Sequence, residues 1–294
     1  MNYIIENSAI RVEISDLGAE LMSIVGKKTG FEYLWQGDAE YWSSRASVLF
    51  PICGRLTEGK YTYRGKTYEM VLHGFARKQV FTVVEQKADA ITFELRPNEA
   101  SREAYPFDFI FRVIYTLDGA SVRTTLAVEN PGKENLPFSV GGHPGFNIPF
   151  VEGESFEDYY MEFKCAKPTE SLVRSPTCYY TGKNVPLELR EGRFLDMKHS
   201  LFDNDAIFLE KMCNHVSLKS KKNDRAVTVH FAEDMTHLGF WHKPHTEAPF
   251  VCIEPWRGVP AYDGKIDDME TKNEIMHLPA GEKYSTYFDI IITE

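Results

Sequence analysis

The sequence predicts an all-β fold, a large antiparallel β-sandwich, on three observations. Short alternating or β-rich runs recur along the chain, turn signals separate many of them, and helical periodicity is scarce. The runs are Ala9–Ile14, Phe81–Glu85, Ile91–Leu95, Phe109–Thr116, Val122–Glu129, Val216–Lys219, Ala226–Phe231 and Tyr284–Ile292. Arg64-Gly65-Lys66, Asp118-Gly119, Asn130-Pro131-Gly132 and Asn223-Asp224 supply turn chemistry between them. Phe109–Thr116 and Ser121–Glu129, joined through Asp118-Gly119, form the clearest expected hairpin. Tyr61–Tyr63 and Thr67–Leu72 form a second. One short helix is expected over Asn98–Ala104, capped by Asn98 and closed by Pro106. The regular strand, long helix, strand succession of an α/β fold is absent. Lys167–Lys183 and Val259–Glu274 are polar and turn-rich, and are expected as surface loops. No repeat or low-complexity tract divides the chain, so residues 1–294 are taken as a single domain.

Composition narrows the function. An apolar content of 43% supports a sizeable core, and the net charge of −10 disfavours nucleic acid and anionic membrane surfaces as partners. The five cysteines, Cys53, Cys165, Cys178, Cys213 and Cys252, are scattered and odd in number, with no CxxC pair. They are expected as free thiols in a reducing compartment. The N-terminus has no basic-then-apolar leader pattern, and no apolar run is long enough to span a bilayer. A cytoplasmic location is the expectation.

Two segments carry chemistry. Gly141-Gly142-His143-Pro144-Gly145-Phe146-Asn147 frames a histidine with glycines, and Phe250-Val251-Cys252-Ile253-Glu254-Pro255-Trp256 embeds an acid in an apolar run. Each residue is expected to end a strand, with proline stopping the pairing there. A histidine and a desolvated carboxylate held in this way form an acid and base pair. The bland alternatives are a tight turn for His143 and a buried ion pair of Glu254 with Arg257. Further candidates are Arg55 in Phe50-Pro51-Ile52-Cys53-Gly54-Arg55, His73 in Leu72-His73-Gly74-Phe75-Ala76-Arg77, and the acids Asp203 and Asp205. Arginine offers several donors to sugar hydroxyls or a carboxylate. Trp35, Trp42, Trp241 and Trp256 could stack on sugar faces, although tryptophan in a chain of this size usually packs in the core. His237, His242 and His245 are clustered, but His237 and His242 would face opposite sides of a strand and no HExxH motif is present. No metal and no cofactor is expected. GxGxxG, GxxxxGK[ST] and GxSxG are also missing.

Taken in order, Gly54-Arg55, Leu72-His73-Gly74, Gly142-His143-Pro144-Gly145-Phe146-Asn147, Asp205-Ala206-Ile207-Phe208 and Cys252-Ile253-Glu254-Pro255-Trp256 resemble the ordered signatures of the aldose 1-epimerase (galactose mutarotase-like) family. Glu-Pro-Trp-Arg-Gly-Val-Pro is most similar to a LacX-type branch. The resemblance spans nearly the whole chain. It implies a sandwich with a sugar lying in an open groove over one sheet, His143 as general acid and Glu254 as general base. It implies Arg55, His73 and Asp205 as sugar-binding residues. The chain departs from the galactose mutarotase pattern beside Arg55, after His-Pro and after Glu-Pro, so galactose is not implied as the substrate.

The chemistry implied is ring opening and reclosure. Glu254 takes the proton of the anomeric hydroxyl, His143 donates to the ring oxygen, and rotation about C1–C2 lets the other anomer form. Glu254 is expected to raise the pKa of its histidine neighbour toward neutrality. The partner is a small sugar, free or phosphorylated. The rival readings are a glycoside hydrolase using Asp205 and Glu254, and a non-catalytic sugar-binding module.

Overall fold

Alternation in sequence becomes alternation of burial. In the strand Ile10–Ser15, Ile10, Val12 and Ile14 are buried while the residues between them are half-buried. In Ser121–Glu129, Val122, Thr124, Leu126 and Val128 point inward. The computed structural model describes residues 1–294. Most sequence-expected strands appear within one or two residues of their expected ends, for example Ile110–Asp118 paired with Ser121–Glu129 around a two-residue turn, whereas Thr67–Leu72 is found as Lys66–Glu69, three residues shorter at its end. The helix Glu99–Ala104 takes Asn98 as its N-cap, and Asn98 and Ser101 bond reciprocally in a capping box.

Two large sheets form the sandwich. A nine-stranded sheet runs Phe194–Asp196, Tyr159–Phe163, His215–Ser220, Ala226–Phe231, Lys283–Thr293, Ser121–Glu129, Ile110–Asp118, Ala90–Leu95, Thr82–Gln86. A seven-stranded sheet runs Tyr180–Pro186, Glu170–Arg174, Ile207–Glu210, His237–Trp241, Phe250–Arg257, Val140–Asn147, Ala46–Leu49. Both are antiparallel throughout. Smaller sheets, one led by Asn2–Glu6 and one holding Lys60–Tyr63 and Lys66–Glu69, flank them. A connected core of 65 buried residues fills the structure.

The central strands of the seven-stranded sheet are covered on both faces, which accounts for the nearly unbroken burial of Val140–Asn147 and Phe250–Arg257. Gly142 shows how closely the sheets approach. A Cβ there would lie 2.5 Å from Cζ of Phe288, which reaches across from Lys283–Thr293. Gly142→Ala is expected to cost about 1–3 kcal/mol by overpacking, seen as a lower urea midpoint. An unchanged midpoint would show that the phenyl ring moves aside freely.

Two sequence expectations are corrected. Lys167–Lys183 is not a plain surface loop: Glu170–Arg174 and Tyr180–Pro186 make a hairpin that extends the seven-stranded sheet. Val259–Glu274 is likewise more enclosed than expected, with Val259, Ala261, Asp267, Met269 and Lys272 buried. Its polar residues are held inside, Lys272 donating to the Val259 carbonyl at 2.6 Å.

Nor are all five thiols free. Cys165 and Cys213 form a disulfide with Cα atoms 5.9 Å apart. The register explains it: Tyr159–Phe163 pairs with His215–Ser220, with Phe163 opposite Val216, and the ladder continues through Lys164 N–H to the His215 carbonyl. The two cysteines therefore emerge side by side past the strand ends. Cys53, Cys178 and Cys252 remain free. No helix is long and apolar enough to cross a membrane.

Candidate active site

Strand register creates the site's central pair. Val140–Asn147 and Phe250–Arg257 run antiparallel with Gly141 opposite Trp256 and Gly145 opposite Cys252, which sets His143 directly opposite Glu254. Opposed side chains in an antiparallel pair start about 5 Å apart at Cβ, and here His143 Nε2 lies 3.3 Å from Glu254 Oε2. Pro144 and Pro255 sit within this interval, where the ladder opens because proline has no N–H to give. The strands continue through both prolines, so the expectation that each strand ends there is corrected. Arg257 lies three residues on, faces elsewhere and pairs with Glu274 at 2.6 Å. Glu254 is therefore not the carboxylate of a structural arginine pair.

The pair sits in a cavity of about 270 Å³ that also takes in Arg55, His73 and Asp205. His73 and Gly74 both have positive φ, 64° and 73°. Gly74 has no alternative, since a Cβ there would lie 2.2 Å from the Phe50 carbonyl oxygen. The tight turn lets Gly54 N–H donate to His73 Nδ1 at 3.1 Å. With Nδ1 accepting, the proton of the neutral ring sits on Nε2, which makes His73 a hydrogen-bond donor. Burial, reinforced by nearby His143 and Arg77, holds its pKa well below the usual histidine value.

Asp205 also has positive φ, 69°, in a turn just before the strand Ile207–Glu210. That turn separates it from Asp203, which is outside the cavity and faces His245 at 3.4 Å. Asp205 accepts a hydrogen bond from Arg174 at 3.0 Å. Arg174 is a site residue that sequence reasoning missed, because it comes from the hairpin mistaken for a loop. Its alternation in Glu170–Arg174 is too short to stand out. Arg174→Met removes the partner of a partly buried carboxylate that also faces the ligand space. It is expected to raise KM about tenfold or more with a smaller change in kcat. A loss confined to kcat would overturn this role.

Arg77 lines the cavity as well, with its Nε buried and unpartnered. Cys178 lines it from the same hairpin region as Arg174. Three of the four tryptophans, Trp42, Trp241 and Trp256, contribute to the wall, whereas Trp35 packs behind it on Phe250. Trp42 stacks on the His143 ring at 4.9 Å, and Trp241 meets that ring edge-on at 5.8 Å. The imidazole is thus fixed between aromatic faces and the acid.

Burial governs the electrostatics. It pushes the Glu254 carboxyl well above the usual carboxylate range, with Asp205 adding to the rise and Arg174 opposing it. Burial pushes His143 the other way, down to about 3. The sequence expectation that Glu254 raises its neighbour is corrected: desolvation dominates the His143 shift, and the attraction of Asp205 opposes it only in part. Both groups are driven toward their neutral forms, so the resting pair holds a single proton, on the acid. Glu254 Oε1 and His143 Nδ1 are buried without partners, leaving capacity for further hydrogen bonds.

His143, Cys252 and Glu254 each present a ligand atom within 4.8 Å of the others. The thiol of Cys252 is enclosed, and burial holds its pKa well above the usual value, so it contributes a neutral thiol beside the pair. The expected histidine cluster separates as strand geometry requires. His237 stacks on Phe208, whereas His242 packs against His199 and Phe202.

The profile of the family described as aldose 1-epimerase matches residues 1–289. The chain belongs to the aldose 1-epimerase family. It is 35% identical to protein LacX of Lactococcus lactis subsp. lactis over 98% of both chains, in agreement with the LacX-type signature around Glu254. Two solved structures share the fold over its full length. A galactose mutarotase related enzyme from Lactobacillus acidophilus is 36% identical with a TM-score of 0.93, covering 100% of this chain and 98% of that one. A galactose mutarotase-like protein from Lactobacillus casei is 30% identical with a TM-score of 0.94, covering 100% of both.

Proposed function

We propose that this protein is a cytoplasmic aldose 1-epimerase, an isomerase that interconverts the α and β anomers of a hexose or related aldose without cofactor or metal. The observation that carries this reading is the contact of His143 with Glu254 at 3.3 Å inside a cavity lined by hydroxyl-binding groups. The proton that rests on Glu254 first passes to His143 across their 3.3 Å contact. Glu254, now a carboxylate, removes the anomeric proton while protonated His143 donates to the ring oxygen, which opens the ring and returns the pair's proton to the acid. Reversal after rotation about C1–C2 closes it to the other anomer. Each group recovers its starting proton state, so turnover needs no external acid or base. Arg55, His73 Nε2–H and Asp205 supply the donors and acceptor that fix the ring hydroxyls.

Two features weigh against the rivals. A glycoside hydrolase would need Asp205 or Glu254 to protonate a leaving group opposite the other acid, yet Asp205 serves as an acceptor for Arg174. A binding module has no use for a carboxyl 2% exposed with one oxygen unpartnered, an arrangement that costs stability.

The test follows the optical rotation of freshly dissolved α-glucose, α-galactose and phosphorylated aldoses with and without the protein. Phosphorylated sugars belong in the panel because Arg55 and Arg77 both line the cavity, and an arginine serves a phosphate oxygen as well as a hydroxyl. Rates equal to buffer across the panel would overturn the reading.

A further inference from the structure

The acid and base have a third neighbour in their own row of the sheet. Ala46–Leu49 pairs with Val140–Asn147 on the side away from Phe250–Arg257, and Ser47 stands opposite His143. Directly opposed side chains leave a sheet on the same face, with Cβ atoms about 5 Å apart. Ser47, His143 and Glu254 accordingly line one cavity, and Ser47 is buried there.

A polar chain runs on from Ser47. Its hydroxyl lies 2.7 Å from that of Ser44, and Ser44 donates to Glu20 Oε1. The same oxygen accepts from the backbone N–H groups of Arg45 and Ala46 at 2.8 and 2.9 Å, which anchors the carboxylate beside the strand. Because Ser44 gives its proton to Glu20, it accepts from Ser47, and the Ser47 oxygen keeps lone pairs free to accept in turn. Arg77 opposes positive charge on His143, and Glu20 offsets Arg77.

The imidazole requires such an acceptor. When the Glu254 carboxyl donates to Nε2, the ring's own proton sits on Nδ1. Nδ1 is buried without a partner, so its N–H is unsatisfied in the resting ring and again in the imidazolium. The other groups around the ring serve poorly. Trp42 and Trp241 present aromatic surface, His73 Nδ1 is engaged by Gly54 N–H, Asp205 is bonded to Arg174, and Arg77 has only donors. Cys252 keeps its proton and accepts weakly. The His143 carbonyl favours the protonated ring but completes no hydrogen bond with Nδ1.

We propose that Ser47 is a positioning residue for the acid, its hydroxyl closing on the Nδ1–H of His143 as the reaction proceeds, with Ser44 and Glu20 holding it from behind. Catalytic hydrogen bonds are often long before substrate binds and tighten afterwards. The bond selects the tautomer whose Nε2 can take the Glu254 proton, and it steadies the imidazolium that passes a proton to the ring oxygen. Ser47 keeps its own proton throughout. This inference rests on the acid–base reading of His143 and Glu254 and adds a third member to it.

The experiment has a kinetic and a spectroscopic arm. Ser47→Ala is expected to lower kcat about tenfold while KM stays within about twofold, and Ser47→Thr, which keeps the hydroxyl, to recover most of that loss. In a His143→Ala background, Ser47→Ala should slow the reaction no further, because it acts only through the imidazole. Nitrogen-15 NMR of histidine-labelled protein, with the His143 signals assigned by their loss in His143→Ala, should show Nδ1 protonated in the wild type. The Nε2–H tautomer should gain in Ser47→Ala. An unchanged kcat, an equal loss in both backgrounds, or the same tautomer ratio with and without the hydroxyl would overturn the proposal. A wild-type ring protonated at Nε2 alone would overturn it even if Ser47→Ala fails to fold. Inertness of the wild type toward every sugar, with the expected tautomers, would sink the epimerase reading and leave the Ser47 contact standing.

Discussion

Glu254→Gln is expected to lower kcat by about 10²–10⁴-fold and at the same time to stabilise the protein at neutral and alkaline pH. Gln keeps the size of the side chain and hydrogen-bonding capacity opposite His143 but cannot accept the anomeric proton. The residual rate should rise as pH falls, because the remaining histidine must itself become protonated to act. The stability effect has the opposite origin. Burial raises the Glu254 pKa in the folded protein, whereas the unfolded chain releases that proton near the ordinary value of about 4.3. Between those two values the folded state binds more protons than the unfolded state, so wild-type stability falls as pH rises. Gln carries no such proton. Thermal melts should therefore show similar midpoints for the two proteins near about pH 4, and a gap favouring the variant that widens toward about pH 8. Full activity in Glu254→Gln would remove the base assignment. A gap that narrows with pH would show that the carboxyl is ionised at rest.

That combination of activity and instability was partly legible in the sequence. An acid inside Phe250-Val251-Cys252-Ile253 signals burial because strands this apolar lie in covered sheets, and the glycines around His143 signal close approach, which Gly142 meets against Phe288. The residues alone offered His143 and Glu254 as an acid and base, but not that the two stand face to face in contact. That contact depends on strand register across more than a hundred residues, which no local pattern encodes. The direction of the His143 shift was misjudged for a related reason: the Trp42 and Trp241 rings that enclose the imidazole come from distant segments, and the extent of desolvation follows from them. Arg174 and the disulfide were missed because they belong to a weakly patterned hairpin and to strand ends, where pairing decides what meets. Strand positions survived this better than loops, since alternation reports a face whereas a polar turn-rich stretch does not report what it covers.

His143→Ala is expected to cost a comparable 10²–10⁴-fold or so in kcat, and its pH dependence distinguishes an acid from a merely structural residue. In the wild type the reacting pair must hold one proton. Adding a second requires protonating His143, which burial holds down to about 3. Removing the last requires ionising Glu254, which burial holds well above the carboxylate range. The two limbs of the kcat/KM profile are therefore spread apart, and the rate should be level through the mildly acidic and neutral range. Without His143 the proton on Glu254 becomes an obstacle, because the carboxyl must ionise before it can accept the anomeric proton. The residual rate of His143→Ala should rise with pH where the wild type is level, the reverse of the slope expected for Glu254→Gln. Opposite slopes in the two variants, around a level wild type, are the signature of a single shared proton. Parallel slopes, or a loss in His143→Ala below about tenfold, would mean that the ring oxygen takes its proton from another donor.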